Sequence, residues 1–189
     1  MNRINHERLA KRTNRRSLPI GCALLVLVLL LVGCSTDGYA VTGRPTISAK
    51  QIDKILCKAQ SPACHTGADL YNLGVKYGID PVYALAWFKH ESGYGTTGVA
   101  RFTRSLGNIR CSTGYGCIEG YRAYRSYHTS YEDWYQLIAN QYVKQRHLTT
   151  VDVILDKYAP PAENDTTSYV SDVEQSVDMW RSEAGGKEV

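Results

Sequence analysis

Residues 82–88 form an unbroken apolar segment, Val-Tyr-Ala-Leu-Ala-Trp-Phe. A helix that is apolar on almost every face is buried on most sides rather than lying on the surface. Asp80 is a suitable N-cap for such a helix, and Pro81 suits its first turn. Gly93 is a suitable residue to end it. The pattern therefore predicts a buried core helix that carries Glu91 on its last turn.

Apolar residues recur at helical spacing in further segments on both sides of this helix. They predict helices over residues 49–59, 68–77, 130–145, 150–157 and 167–181. Ser130 followed by Asp133 is typical of a helix start, so we place the N-cap of the third of these at Ser130. Residues 94–107 are rich in Gly and Thr and predict an irregular loop.

Between residues 107 and 127 the helical spacing is lost, and Gly and Tyr recur. Tyr121, Ala123, Arg125 and Tyr127 would share one face of an extended strand. This segment predicts a small β-hairpin. The expected fold class is mainly α with one small hairpin after the core helix.

The N-terminal segment has a different character. Residues 1–17 carry six Lys/Arg and one Glu, and residues 18–34 are apolar and uncharged. A basic region before an apolar one is typical of an export signal or membrane anchor, with the basic end in the cytoplasm. Two readings stay open: lipidation of Cys34 after cleavage, because residues 31–34 resemble a bacterial lipobox, or an uncleaved anchor. Either predicts an extracytoplasmic domain tethered to the cell membrane.

The net charge of +4 comes from this N-terminal segment. The residues after 34 hold 16 Lys/Arg and 17 Asp/Glu, a net of −1, so no basic patch predicts nucleic-acid binding. We expect a polar linker over residues 35–48, a single domain over 49–182 that acts as a monomer, and a disordered tail over 183–189.

Four of the six cysteines form two close pairs in the domain, Cys57 with Cys64 and Cys111 with Cys117. In an exported protein such pairs are typical of disulfides that close local loops. Zinc is the alternative, because His65 follows Cys64. The absence of CxxC and HExxH spacing favours disulfides, and we expect no metal or cofactor.

Glu91 is the main candidate for chemistry. Apolar surroundings and the negative end of the helix dipole would favour its protonated form, and a carboxyl group protonated near neutral pH can act as a general acid. The alternative is an ordinary solvated charge. Glu119, in the hairpin, is the candidate second carboxylate, with a solvated charge again the alternative.

Tyrosine is frequent, with 14 copies in 189 residues. A tyrosine offers an apolar face to a sugar ring and a hydroxyl to its polar groups. Those in the predicted cleft segments either bind sugar or pack in the core; the candidates are Tyr94, Tyr115, Tyr121, Tyr124, Tyr158 and Tyr169. Three nearby arginines either meet acidic groups of a substrate or are solvated: Arg110, Arg122 and Arg125.

Four segments in this order resemble the glucosaminidase family (mannosyl-glycoprotein endo-β-N-acetylglucosaminidase-like, glycoside hydrolase family 73-like) of the lysozyme-like superfamily. The resemblance spans about residues 79–181. Its segments are residues 77–81 with 90–96 (YGIDP, HESGYGT), 106–110 (LGNIR), 121–126 with 131–134 (YRAYRS, YEDW), and 158–160 (YAP) with Asn164 and Tyr169.

The resemblance implies a lysozyme-like fold and cleavage of the β-1,4 bond after N-acetylglucosamine in peptidoglycan glycan strands. It places the general acid on Glu91. By the same resemblance, Asn108 and Asn164 would line the sugar groove, and Tyr158 would reach the cleaved bond. The loop over residues 107–121 is short and holds the Cys111/Cys117 pair, which departs from the family's usual pattern, so the resemblance does not assign the second carboxylate. If Glu119 is not used, the substrate's own 2-acetamido group, positioned by Tyr158, would assist. A lytic transglycosylase and a non-catalytic wall-binding module are the alternative functions.

Overall fold

The computed structural model describes residues 38–186. The described residues form seven α-helices: α1 Ala49–Lys58, α2 Gly67–Tyr77, α3 Pro81–Ser92, α4 Ala100–Thr103, α5 Tyr127–Gln136, α6 Val151–Tyr158 and α7 Thr166–Gly185. The segment Leu137–Gln145 continues α5 as a π-helix. Strands β1 Cys117–Ile118 and β2 Tyr121–Arg122 pair antiparallel, with Ile118 opposite Tyr121. The expected fold class, mainly α with one small hairpin, is confirmed.

Helix α3 is the buried centre of the domain. All of its residues from 82 to 88 are at most 1% exposed. The Asp80 side chain accepts a hydrogen bond from the Val82 amide at 3.2 Å. The helix ends at Gly93, whose φ of 52° lies in the left-handed region that glycine adopts without strain. Capping and composition thus place Glu91 where α3 leaves the core.

Helix α7 packs along α3, and α6 packs on α7. Arg181, near the C-terminal end of α7, connects this helix to the start of α3, because its guanidinium lies 3.1 Å from the Asp80 carboxylate. On the other side α2 contacts α1, α3 and α5. Helices from both the N-terminal and the C-terminal parts of the domain therefore pack against α3.

The predicted linker is partly integrated into the domain. Val41 is fully buried and Ile47 is 3% exposed. The Val41 amide donates to the Thr149 carbonyl, and the Val41 carbonyl accepts from the Asp80 amide. Two isolated apolar side chains carry no periodic signal, so the sequence pattern did not reveal that residues 38–48 pack against the helices.

Several predicted boundaries differ from the structure. Helix α5 begins at Tyr127 rather than after Ser130, because Ser126 and Thr129 form a reciprocal capping box one turn earlier. Ser130 is buried within the helix. The long strand predicted through Tyr127 is therefore limited to β2.

Two further segments are more helical than expected. The short helix α4 lies inside the predicted loop over residues 94–107. Helix α7 continues through residues 183–185, part of the predicted tail, because its sequence has no glycine or proline before Gly185.

The predicted basic region, the apolar anchor with Cys34, and residues 187–189 lie outside the described residues. Between residues 38 and 186, no helix has the length and apolar character needed to span a bilayer.

Candidate active site

Glu91 lies in a cleft of about 480 Å³. Its walls come from the last turn of α3, the turn after α4, strand β2, the π-helical segment and the loop between α6 and α7. Of the predicted site residues, the lining includes Glu91, Asn108, Tyr121, Tyr158 and Asn164. Segments far apart in the sequence thus meet at one carboxyl group.

The Glu91 side chain is held from two directions. The Tyr169 hydroxyl donates to Oε1 at 2.7 Å, and Nδ2 of Asn108 lies 3.3 Å from Oε2. Burial raises the pKa of Glu91, while the two hydrogen bonds and the positive charge of Arg110 oppose that rise. Because burial dominates, the protonated form is favoured relative to a free glutamate, as a general acid requires.

Asn108 is positioned by an unusual backbone. Its φ of 47° is left-handed, a region that asparagine tolerates better than most residues. Besides contacting the carboxyl group, its Nδ2 donates to the Glu91 backbone carbonyl at 2.8 Å. A Cβ on the preceding Gly107 would lie 2.8 Å from Cδ1 of Trp134. The turn therefore needs glycine before Asn108 to lie close to the core.

Tyr158 lines the cleft, and its hydroxyl donates to the Gly107 carbonyl. Its ring packs edge-on against Trp87 of α3, with ring centroids 5.7 Å apart. Burial and the nearby negative charge of Glu91 hold the pKa of its phenol well above the usual value. Tyr158 therefore stays neutral and supports the turn that carries Asn108.

Tyr169, one of the tyrosines predicted either to bind sugar or to pack in the core, contacts Glu91 directly. It is 3% exposed and packs against Trp87 with ring centroids 5.9 Å apart. The His90 ring stacks on it at 3.7 Å, and His90 Nδ1 lies 2.9 Å from Asp172. The place of Tyr169 in the resemblance and on the last helix is equally typical of a core residue, so the sequence did not predict its contact with Glu91.

Glu119 does not reach this cleft. It is exposed and occupies the two-residue turn between β1 and β2, where Glu119 and Gly120 have φ of 49° and 83°. Positive φ at both residues is typical of the two-residue turns that join antiparallel strands, and Glu119 is not among the residues that line the cleft. The other carboxylate that lines the cleft belongs to Glu163, on the loop between α6 and α7.

Four of the six candidate tyrosines, Tyr169 among them, are not in the cleft lining. Tyr94 is 7% exposed and borders a separate groove between α1 and the end of α7. Tyr115 and Tyr124 both donate to the carboxylate of Asp133, at 2.8 and 2.5 Å. Tyr121 and Tyr158 are the two candidates that line the cleft.

Asp133 also forms an ion pair with Arg122, and this cluster attaches the hairpin to α5. The distance between Nη1 of Arg122 and Oδ2 of Asp133 is 2.7 Å, and both side chains are less than 15% exposed. The Arg122 guanidinium lies 3.9 Å from the centroid of the Tyr115 ring. The hairpin's polar residues therefore hold the wall of the cleft in place.

Both expected disulfides are present, Cys57–Cys64 and Cys111–Cys117. In the described part of the chain, the one group of three potential metal ligands is Cys57, Cys64 and His65. Its two sulfurs are bonded to each other, which does not fit a zinc site.

Comparison of the fold with solved structures finds S. aureus autolysin E, solved in complex with the muropeptide NAM-L-Ala-D-iGlu. The TM-score is 0.58 at 14% sequence identity, over 78% of this chain and 72% of that chain. No protein-family model matches the sequence. No curated protein matches it either. The similarity to autolysin E shows a shared fold, in agreement with the lysozyme-like fold expected from the sequence.

Proposed function

We propose that this chain is a glycosidase that cleaves peptidoglycan glycan strands, with Glu91 as the general acid. The observation that carries the proposal is the position of Glu91: a carboxyl group whose pKa is raised by burial, hydrogen-bonded by Tyr169 and Asn108, at the wall of an open cleft. The fold shared with an autolysin that binds a muropeptide supports the choice of substrate.

In the proposed reaction, protonated Glu91 donates its proton to the glycosidic oxygen as the bond from that oxygen to the anomeric carbon breaks. The hydrogen bonds from Tyr169 and Asn108 then stabilise the carboxylate that remains. Water adds to the anomeric carbon, and its proton returns to Glu91. The bond after N-acetylglucosamine is the one that we propose is cleaved.

We propose that the substrate itself supplies the second catalytic group. Because Glu119 lies outside the cleft lining, no carboxylate of the hairpin stands opposite Glu91. The 2-acetamido oxygen of N-acetylglucosamine would attack the anomeric carbon, and water would then open the resulting ring. In this route Tyr158 and Asn108 shape the subsite that holds the acetamido group.

The extracytoplasmic location is also a proposal. It rests on residues 1–34, whose basic and apolar parts predict a membrane tether, with Cys34 either lipidated or part of an uncleaved anchor. Mass analysis of the mature protein recovered from membranes would distinguish a lipidated N-terminal Cys34 from an intact N-terminus.

The activity is tested by digesting purified peptidoglycan with the full-length chain and identifying the new ends by mass spectrometry. Reducing N-acetylglucosamine ends are expected from the wild type. We expect Glu91→Gln to release about 10²- to 10⁴-fold less product, the usual contribution of a general acid. Anhydro-muramyl ends would instead identify a lytic transglycosylase, and binding without product would identify a wall-binding module.

A further inference from the structure

Arg110 and Glu163 form an ion pair within the wall of the cleft that contains Glu91. Nη2 of Arg110 lies 3.1 Å from Oε2 of Glu163, and both side chains line the cleft. The pair joins the turn after α4 to the loop between α6 and α7, 53 residues further along the chain. Both side chains are exposed, at 76% and 61%.

An exposed ion pair of this kind adds little to stability, so its members exchange partners at little cost. The planar guanidinium group of arginine is suited to binding carboxylates. Arg110 is also held in place, because its backbone bridges to Tyr121 and its guanidinium lies 5.7 Å from the centroid of that ring. A positioned arginine with a weakly held partner is therefore available at the cleft.

The two neighbouring arginines do not have this property. Arg122 is engaged by Asp133 and also donates to Ser112, so it is committed to holding the hairpin. Arg125 is exposed but does not line the cleft. Of the three arginines predicted either to meet acidic groups or to be solvated, Arg110 is therefore the one that lines the cleft with only an exposed ion-pair partner.

We propose that Arg110 is a specificity-determining residue that binds a carboxylate of the peptidoglycan strand, and that Glu163 occupies the same guanidinium until substrate displaces it. This inference rests on the proposed function for the identity of the substrate. The carboxylate comes either from the stem peptide or from the lactyl group of muramic acid. These two sources offer Arg110 the same chemistry.

The test measures binding with the full-length chain carrying Glu91→Gln, so that the strand stays intact. Three ligands are compared: muropeptide strands with stem peptides, the same strands after an amidase has removed the stems and freed the lactyl carboxylate, and chitin oligosaccharides, which lack carboxylates. Adding Arg110→Ala is expected to weaken binding of a carboxylate-bearing strand about tenfold, as for a lost hydrogen bond to a charged group, and to leave chitin binding unchanged. Arg125→Ala is the matched control and should change neither.

Glu163→Gln, in the same background, should tighten binding of the carboxylate-bearing strand about two- to fivefold, because the internal competitor is removed. Arg110→Lys should fall between the parent and Arg110→Ala. A loss confined to strands with stems identifies the stem carboxylate, and a loss on stripped strands identifies the lactyl group. An equal loss on chitin, no loss on any strand, weaker binding with Glu163→Gln, or no measurable binding at all would overturn the proposal.

Failure of the proposed function has a different signature. If the chain with Glu91 intact releases no product, but Arg110→Ala still weakens binding only to carboxylate-bearing strands, the carboxylate site stands and the glycosidase proposal falls. If product is released and neither release nor binding changes on substitution of Arg110 or Glu163, the glycosidase proposal stands and the carboxylate site falls.

Discussion

The hydroxyl group of Tyr169 donates a 2.7 Å hydrogen bond to Oε1 of Glu91, although the two residues are 78 positions apart in the chain. The bond joins the last turn of α3 to the first turns of α7. It opposes the rise in the pKa of Glu91 that burial causes. Tyr169 therefore influences the pH range in which Glu91 can donate a proton.

Tyr169→Phe should raise the pKa of Glu91 further, because it removes a hydrogen bond that stabilises the carboxylate while keeping the ring that stacks on His90. For a general acid, the basic limb of the pH dependence of kcat/KM should then move to higher pH. Tyr131→Phe is the control, since its hydroxyl contacts Thr66 at 2.7 Å instead. A limb that stays in place or moves to lower pH would contradict the assigned role.

Glu91→Gln should make the domain more stable than the wild type at neutral pH but not at low pH. The folded state raises the pKa of Glu91, so its contribution to stability is fully present below the unfolded pKa and is lost as the pH rises through the folded pKa. Glutamine does not titrate. The difference in Tm between variant and wild type should therefore grow with pH and then level off.

Glu132→Gln provides a control of opposite sign. The hydrogen bond from Lys76 lowers the pKa of Glu132, so its contribution is present above the unfolded pKa and is lost as the pH falls through the folded pKa. Replacing it should lower Tm at neutral pH and have no effect at low pH. If both variants shifted Tm with the same sign, the burial of Glu91 would not explain its effect.

Asn108 combines a backbone role with a side-chain role, and two substitutions separate them. Asn108→Gly removes the amide but keeps the left-handed backbone, whereas Asn108→Ala also places a Cβ at a φ of 47°. We expect Asn108→Ala to be about 1 kcal/mol less stable than Asn108→Gly in urea unfolding. Glycan cleavage should fall to a similar extent in both, because both lack the donor to Glu91. Equal stability of the two variants would argue against backbone strain at this position.

Asp133→Ala should destabilise the domain by about 3 kcal/mol, because it leaves the charge of Arg122 largely buried without a partner. It also removes the acceptor for Tyr115 and Tyr124. The neighbouring Glu132→Ala is the matched control, since its pair with Lys76 is largely exposed and its loss should cost much less. Denaturant unfolding of the two variants measures the difference, and a similar cost for both would show that the hairpin does not depend on this cluster.

The sequence by itself determined the parts of this protein that depend on local interactions. The core helix α3, its cap at Asp80, its end at Gly93 and the position of Glu91 on its last turn follow from apolar spacing and backbone preferences within a few residues. The two disulfide loops are local in the same sense, since each joins cysteines six or seven residues apart. The class of fold followed from the sum of these elements.

Tertiary structure decided which side chains share the cleft. Apolar spacing shows that a face of a helix is buried but not what it packs against, so Tyr169 and Tyr94 looked alike, yet only Tyr169 reaches Glu91. The same limit made Glu119 a candidate and concealed Glu163, because the direction of a hairpin turn and the path of a loop depend on contacts between distant segments. The burial and hydrogen bonding of the Glu91 carboxyl group arise from such contacts. These contacts exist only once α3, α7 and the turn at Asn108 have come together.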